Sequence, residues 1–154
     1  MKKSAEPQIH ISVRTQRLTL KAGQKKLAAY GVSTSGFGLG TEEGSMKTPT
    51  GRFRVMEKIG DGMPVGTVFR SRRPVKATKK VLRDEDLVMT RILWLDGVEA
   101  ANANTHDRYI YIHGTNHEER IGEPASHGCI RMKNADVVEL FDQVRIGTPV
   151  VIRA

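Results

Sequence analysis

The amino-acid sequence predicts a mainly β domain with one principal helix. Short runs in which apolar and polar residues alternate recur along the chain, and glycine or proline separates most of them. Only one segment, near the C-terminus, spaces its apolar residues as an amphipathic helix does. With 154 residues the chain can bury one hydrophobic core, and we expect a single domain over residues 1–154.

The first part of the chain is predicted to form short strands around a glycine-rich loop. Residues 9–20 alternate as two strands joined by a turn near residues 14–17, and residues 27–32 continue as a buried strand. Residues 36–51 contain five glycines and a proline, which is the composition of a loop. Strand alternation resumes over residues 52–55.

Residues 60–83 are punctuated by glycine and proline and then become strongly basic. The basic side chains are those of Arg70, Arg72, Arg73, Lys76, Lys79, Lys80 and Arg83. We interpret this segment as a solvated, mobile excursion in preference to a lid that grips substrate.

The last part of the chain combines strands with the helix. Strand patterns cover residues 87–95, 109–113 and 148–152. Asn134 is predicted to be the N-cap of the helix, and Gly147 is predicted to close it. The apolar face of this helix consists of Val137, Val138, Leu140, Phe141 and Val144.

The chain is strongly basic, with 25 Lys and Arg against 17 acidic residues and a formal net charge of +8. Such a charge favours polyanionic partners, namely nucleic acid, anionic lipid or carboxylate-rich cell-wall fragments. The four Phe, three Tyr and one Trp are not interleaved with the basic residues as a base-stacking surface requires. We therefore expect no nucleic-acid partner.

The sequence contains no apolar stretch of the roughly 18 residues that a membrane-spanning helix needs, so we expect no membrane span. Met1–Lys3 resembles the charged start of a secretory signal, but mostly polar residues 4–8 stand where an apolar segment should follow. We expect a cytoplasmic location for the sequence as written. A leader removed from it would instead imply the periplasm or the cell wall.

The chemistry is expected around the one cysteine, Cys129, which cannot form an internal disulfide. A thiol with a pKa of about 8.5 is mostly protonated at neutral pH and becomes a nucleophile beside an imidazole or a positive charge. His113 and His127 both lie within the sixteen residues before Cys129. Gly122 and Pro124 mark a turn-rich stretch that can fold the His113 strand back against the cysteine.

His113 is the preferred base. His127 lies only two residues from Cys129, a spacing that rarely presents a ring nitrogen squarely to the sulfur, so it is expected to be a helper or a loop residue. Gly128 permits a tight turn in which backbone N–H groups converge on a developing oxyanion. Arg131 adds a charge suited to a substrate carboxylate or to the thiolate.

Several segments resemble, in their order along the chain, the L,D-transpeptidase (YkuD-type) family. The segments that match its cysteine-centred signature are His113-Gly114-Thr115, Ile121-Gly122 and Ser126-His127-Gly128-Cys129-Ile130-Arg131. The segments that match upstream are Gln16-Arg17-Leu18 and Lys47-Thr48-Pro49-Thr50-Gly51-Arg52-Phe53. The likeness covers most of the chain and is weakest over residues 56–86.

This resemblance implies a β-sandwich-like catalytic domain that acts on peptidoglycan stem peptides. Cys129 would attack the carbonyl of the third stem residue, usually meso-diaminopimelate, and expel D-Ala, leaving a thioester while His113 carries the proton. An amine acceptor would then give an L,D-crosslink. Water would instead give L,D-carboxypeptidase action, which trims tetrapeptide stems to tripeptides in peptidoglycan recycling.

The resemblance also implies roles for the neighbouring residues. The Gly114 carbonyl would orient the imidazole, and the N–H groups of Gly128 and Cys129 would form the oxyanion hole. The positions that fit substrate contacts are Tyr111, Ser126, His127 and Arg131. No cofactor and no metal are expected, and the oligomeric state is not predicted.

Two other classes of function compete with the enzyme. His113, His117, His127 and Cys129 offer ligands for a zinc hydrolase, but the spacing of the first two suits a helix, whereas His113 ends a strongly β run. A basic nucleic-acid-binding module would use the cluster at 70–83, but it leaves the Cys129 neighbourhood unexplained. We therefore prefer cysteine acyl transfer.

Overall fold

The computed structural model describes residues 5–82 and 86–154. The charged start at Met1–Lys3 and the basic residue Arg83 lie outside these residues. The described part confirms a mainly β fold with one principal helix. Its strands are β1 (Pro7–Ser12), β2 (Arg17–Ala22), β3 (Lys25–Ser33), β4 (Gly51–Ile59), β5 (Val68–Arg70), β6 (Arg73–Val75), β7 (Val88–Gly97), β8 (Tyr111–Gly114), β9 (Ile130–Met132) and β10 (Pro149–Arg153). Its helices are α1 (Lys79–Leu82) and α2 (Asn134–Gln143).

All these strands join one sheet in the order β4-β10-β1-β2-β3-β9-β8-β7-β5-β6. An additional pairing of β4 with β7 closes the first eight strands of this order into a ring, so opposite walls face each other as the layers of a sandwich do. Most neighbours are antiparallel, but the pairs β1–β10 and β8–β9 are parallel. Parallel strands need a long crossover, and residues 115–129 provide it for β8 and β9.

Strands β7, β8 and β9 present different surfaces on their two faces because side chains alternate along a strand. One face belongs to the main core, where Leu93, Ile112 and Ile130 are fully buried and the apolar side of α2 packs. Burying one such side chain contributes roughly 1.5–3 kcal/mol. The opposite face carries a smaller cluster that includes Trp94 and Tyr111.

The prediction of a mobile excursion over residues 60–83 is wrong for residues 68–75. They form the β5–β6 hairpin, and β5 also pairs with the start of β7. Val68 and Phe69 are buried, which anchors the hairpin through apolar packing. The basic residues around this short apolar pair obscured it in the sequence pattern.

The helix boundaries differ slightly from the predicted ones. Lys133, not Asn134, occupies the N-cap position, because the Asn134 amide group donates to the Thr115 carbonyl at 2.8 Å instead of capping the helix. The helix ends at Gln143, and Gly147, with φ +95°, lies in the turn before β10.

Candidate active site

The parallel pairing of β8 and β9 brings the predicted nucleophile and base to one face of the sheet. His113 lies level with Arg131, and Cys129 precedes Arg131 by two residues, so all three belong to the same side of the strand pair. The sulfur-bearing side chain of Cys129 packs in the cluster that contains Trp94 and Tyr111. The fold therefore assembles these residues although they are distant in sequence.

Two backbone groups hold the Cys129 sulfur. The Tyr111 N–H donates to Sγ at 3.3 Å, and the thiol donates to the Tyr109 carbonyl at 3.3 Å. Tyr109 adopts a positive φ of 58°, which is uncommon for a residue with a side chain and turns its carbonyl toward the sulfur. The geometry therefore fits a protonated thiol in the resting protein.

Burial of the sulfur raises the pKa of Cys129 to about 12, and the nearby Asp86 carboxylate adds to the rise. The Tyr111 N–H and the charges of Arg131 and Arg108 act in the opposite direction. Since desolvation prevails, the thiol needs a base at the moment of attack.

The His113 side chain is 1% exposed and has one fixed tautomer. Its Nδ1 lies 2.5 Å from the Gly114 carbonyl oxygen. A carbonyl can only accept, so Nδ1 carries the hydrogen and Nε2 is left with a lone pair. Burial lowers the pKa of His113, with a further decrease from Arg131, whereas Asp86 and the Gly114 carbonyl oppose the shift. The imidazole is therefore neutral and can accept a proton.

Gly114 fits this position because it has no side chain. A Cβ there would lie 2.3 Å from Asn134 Oδ1 and 2.7 Å from the Met89 carbonyl oxygen. Both distances are far below van der Waals contact, so only glycine allows β8 to approach the neighbouring β7 and α2 this closely.

The turn before Cys129 is held by its own side-chain hydrogen bonds. Ser126 Oγ donates to the Cys129 carbonyl at 2.5 Å and accepts from the Gly128 N–H at 3.3 Å. Gly128 has a φ of +124°, which glycine adopts without strain. The Gly128 N–H expected in the oxyanion hole is thus directed at Ser126 in this structure, and the Ser126 hydroxyl serves the turn. A substrate contact by Ser126 stays a prediction.

Thr48 links the glycine-rich loop to the cysteine turn. Its hydroxyl donates to the Gly128 carbonyl at 2.9 Å and accepts from the Ser35 N–H at 2.9 Å. Arg108 supports the same loop by donating to the Lys47 carbonyl at 2.8 Å. The upstream segment 47–53 therefore supports the cysteine turn directly through hydrogen bonds.

Asp86, which the sequence interpretation missed, connects Arg131 with His127. One oxygen of its carboxylate accepts from Arg131 Nε at 3.1 Å and Nη2 at 3.0 Å, and the other lies 3.3 Å from His127 Nδ1. Arg131 is only 3% exposed, and a buried guanidinium requires a carboxylate partner. The need of a buried arginine for a carboxylate was the only sequence-level indication of this partner. It does not identify which acidic residue pairs with Arg131.

Two cavities share the lining residue Tyr109, whose carbonyl contacts the sulfur. One, of about 390 Å³, is lined by Tyr111, Arg72 and Phe69 as well as Tyr109. The other, of about 310 Å³, lies toward the glycine-rich loop and is lined by His127 among others. A larger cavity of about 680 Å³ lies on the outer face of β1, β4 and β10, and it contains none of the predicted site residues.

The geometry does not assemble the alternative zinc site. Within residues 5–82 and 86–154, no three His, Cys, Asp or Glu side chains form a group that could hold a metal ion. His117 Nδ1 instead lies 3.3 Å from Glu119 Oε1.

The same part of the chain has no helix with the length and apolarity needed to cross a membrane.

Comparison with known proteins identifies the family of the chain. A family model for the L,D-transpeptidase catalytic domain (YkuD) matches residues 6–152, which include every residue of the site described above. The chain belongs to the L,D-transpeptidase family. The motifs around His113 and Cys129 therefore lie inside the catalytic domain of this family.

Curated relatives extend the likeness over most of the chain. The putative L,D-transpeptidase YqjB of Bacillus subtilis is 31% identical over 147 residues, which are 96% of this chain and 71% of YqjB. The putative L,D-transpeptidase YkuD of the same species is 56% identical over 41 residues, covering 27% of this chain and 25% of that protein. Similarity is thus both extended and locally high.

Solved L,D-transpeptidase structures show the same fold. The enzyme from Xylanimonas cellulosilytica superposes with a TM-score of 0.64 at 20% identity, covering 99% of this chain and 63% of that one. L,D-transpeptidase 3 of Mycobacterium tuberculosis, in complex with a faropenem-derived adduct, gives a TM-score of 0.62 at 16% identity, covering 98% and 61%. The chain therefore spans about three fifths of these solved chains.

The environment of Gly114 generates a stability prediction for this L,D-transpeptidase. The Gly114→Ala substitution should lower the free energy of unfolding by about 3 kcal/mol, because the Met89 carbonyl can move away only if a strand shifts. Urea denaturation measures the loss. Gly36→Ala is the control, since its Cβ would lie no closer than 3.4 Å to any atom. Equal losses in both variants would contradict the proposed clash.

The Asp86 network generates a second prediction. Asp86→Ala should lower the free energy of unfolding by about 3 kcal/mol, because the buried Arg131 is left without its carboxylate. Glu123→Ala removes an acid whose ion pair with Arg120 is about half exposed, and it should cost less than about 1 kcal/mol. Thermal or urea unfolding of both variants checks the contrast. A loss for Asp86→Ala as small as that for Glu123→Ala would show that Arg131 does not depend on this partner.

Proposed function

We propose that this L,D-transpeptidase-family chain transfers the acyl group of a peptidoglycan stem peptide through a thioester on Cys129. One observation carries the proposal: a buried, neutral His113 with its Nε2 lone pair lies on the same face of β8 and β9 as a protonated thiol. Such a pair can exchange a proton when an electrophilic carbonyl arrives. Membership of the family supplies the class of substrate.

In the first step, Sγ bonds to the carbonyl carbon of the third stem residue while its proton passes to His113 Nε2. The Cys129 N–H stabilises the oxyanion, joined by the Gly128 N–H once that group leaves Ser126 Oγ. The bond to the leaving D-amino acid then breaks, and the imidazolium returns the proton to the leaving amine. The products are a thioester on Cys129 and the released amino acid.

In the second step, an amine of another stem peptide attacks the thioester, and His113 accepts the proton of that amine. The C–S bond then breaks, and the imidazolium returns the proton to Sγ. The new amide bond is an L,D-crosslink, and the thiol is regenerated. Two cavities that share Tyr109 support a two-substrate reaction, because they offer separate spaces next to a residue whose carbonyl contacts the sulfur. Water in place of the amine would give the L,D-carboxypeptidase reaction.

Purified stem peptides test this function directly. We expect the wild-type chain to form crosslinked dimers and release D-Ala, and Cys129→Ala to form neither product. A carbapenem should add one acyl group to Cys129, as intact-mass measurement and peptide mapping would show, whereas Cys129→Ala should stay unmodified. His127→Ala is the matched control, because its exposed ring is paired with Asp86 and should leave acylation of the thiol in place.

The products separate the possible outcomes. Trimmed monomers without dimers would favour the carboxypeptidase reaction over transfer. A thiol that stays unacylated after long incubation with both stem peptide and carbapenem would rule out the thioester mechanism.

The lowered pKa of His113 generates a pH prediction. The base must be neutral, so acylation should stay constant from pH 8 to the ordinary histidine pKa of 6.5 and fall only at lower pH, as His113 becomes protonated. Asp86→Asn removes a charge that raises this pKa, so its profile should shift further toward acid. Carbapenem acylation rates over pH 4–8 measure both profiles, and a midpoint above 6.5 in the wild type would exclude the assignment.

A further inference from the structure

The tip of the β5–β6 hairpin brings an arginine to the cavity beside the sulfur. Ser71 and Arg72 form a two-residue turn with φ values of 48° and 63°. Turns of this kind normally use Asn-Gly, because positive φ disfavours residues with side chains. The chain keeps side chains at both positions, so contacts made by Arg72 have to hold the turn.

Aromatic rings fix the Arg72 guanidinium. Its central carbon lies 4.8 Å from the centroid of the Trp94 ring and 5.3 Å from that of Tyr109. Nη1 donates to the Tyr111 hydroxyl at 3.2 Å. Stacking of this kind orients the guanidinium plane without neutralising its charge.

The charge of Arg72 has no carboxylate partner among the residues that the structure describes. The acid that acts on it from a distance is Glu57, whose carboxylate lies 2.8 Å from His106 Nε2. A guanidinium has five N–H donors in a planar fork, and Tyr111 takes one of them. The remaining donors suit a planar anion, above all a carboxylate bound by two hydrogen bonds.

This arginine shares a cavity with the two residues that hold the sulfur. Arg72, Tyr109 and Tyr111 line the cavity of about 390 Å³. The same two tyrosines hold the Cys129 sulfur through the Tyr109 carbonyl and the Tyr111 N–H. A ligand in this cavity is therefore in contact with residues that touch the nucleophile.

We propose that Arg72 forms a carboxylate-binding subsite for the donor peptide in the cavity beside Cys129. The inference rests on the proposed function, since it assigns a group of that donor. A donor stem peptide offers two carboxylates near the attacked carbonyl: that of the leaving D-amino acid and that on the side chain of the acylated residue. Both have the chemistry that Arg72 recognises, and the experiment separates them.

Binding to a chain that cannot react tests the subsite without requiring turnover. In the Cys129→Ala background, calorimetry measures the dissociation constant of a synthetic tetrapeptide stem with both carboxylates intact. Arg72→Met keeps an apolar stem against Trp94 but removes the charge, and it should weaken binding about tenfold or more. Arg72→Lys restores the charge without the fork and should recover part of this loss.

Arg73→Met is the matched control, because it removes the same charge from an exposed neighbouring position. It should leave the dissociation constant within about twofold, since Arg73 does not line the cavity and its exposed charge is screened. Thermal unfolding of each variant verifies that the hairpin change leaves the fold intact.

Two modified donors identify the carboxylate, one amidated at its C-terminal carboxyl group and one amidated at the side chain of the third residue. The donor that lacks the recognised carboxylate should bind the Arg72 chain and the Arg72→Met chain equally. If Arg72→Met weakened the binding of the intact donor and of both amidated donors equally, Arg72 would act only by supporting the structure. A dissociation constant for the intact donor that is the same in the Arg72 chain and the Arg72→Met chain would also overturn the subsite.

Failure of the proposed function is measured separately. A wild-type chain that binds the donor through Arg72 but releases no D-Ala would keep the subsite and exclude the reaction. A wild-type chain that releases D-Ala with the same KM as Arg72→Met would keep the reaction and exclude the subsite.

Discussion

The parallel pairing of β8 with β9 determines where the sulfur lies, and the rest of the site depends on it. A parallel pair cannot be joined by a tight turn, so the chain must leave the end of β8 and return over residues 115–129 to the start of β9. That return places Cys129 against the backbone at the beginning of β8, with His113 further along the same strand. The histidine and the cysteine thus stand at opposite ends of one crossover. His113 lies within β8, and Cys129 lies in the turn immediately before β9, where the Tyr109 and Tyr111 backbone holds its sulfur.

Burial gives this pair its chemical character. In a site with little water, a neutral thiol and a neutral imidazole are more stable than a thiolate and an imidazolium, which is why the pKa of Cys129 rises and that of His113 falls. In the proposed mechanism, the thiolate and the imidazolium therefore form only as an electrophilic carbonyl arrives. The oxyanion that develops on this carbonyl then needs hydrogen-bond donors in the site.

The sequence predicted the elements whose signals are local. Alternation identified β1 and β2, and the motifs around His113 and Cys129 identified the candidate nucleophile and base, because each signal lies within a few consecutive residues. The β5–β6 hairpin was missed because its short apolar pair lies among basic residues, and its stability comes from β7 far along the chain. Asp86 was missed for a similar reason, since its partner Arg131 is 45 positions away and no local pattern connects them.

Arg131 and Arg72 have opposite environments, and this contrast argues for different roles. Arg131, expected from the sequence to bind a substrate carboxylate, is buried and directs its guanidinium at Asp86. Asp86 and Arg131 act on the pKa values of both Cys129 and His113 in opposite directions, so their close pairing largely cancels their fields and leaves mainly a structural contribution. Arg72 keeps its charge beside the cavity, held by aromatic rings that cannot neutralise it. Because an anion gains most from a cation that has no counter-ion, this contrast supports the carboxylate subsite proposed at Arg72.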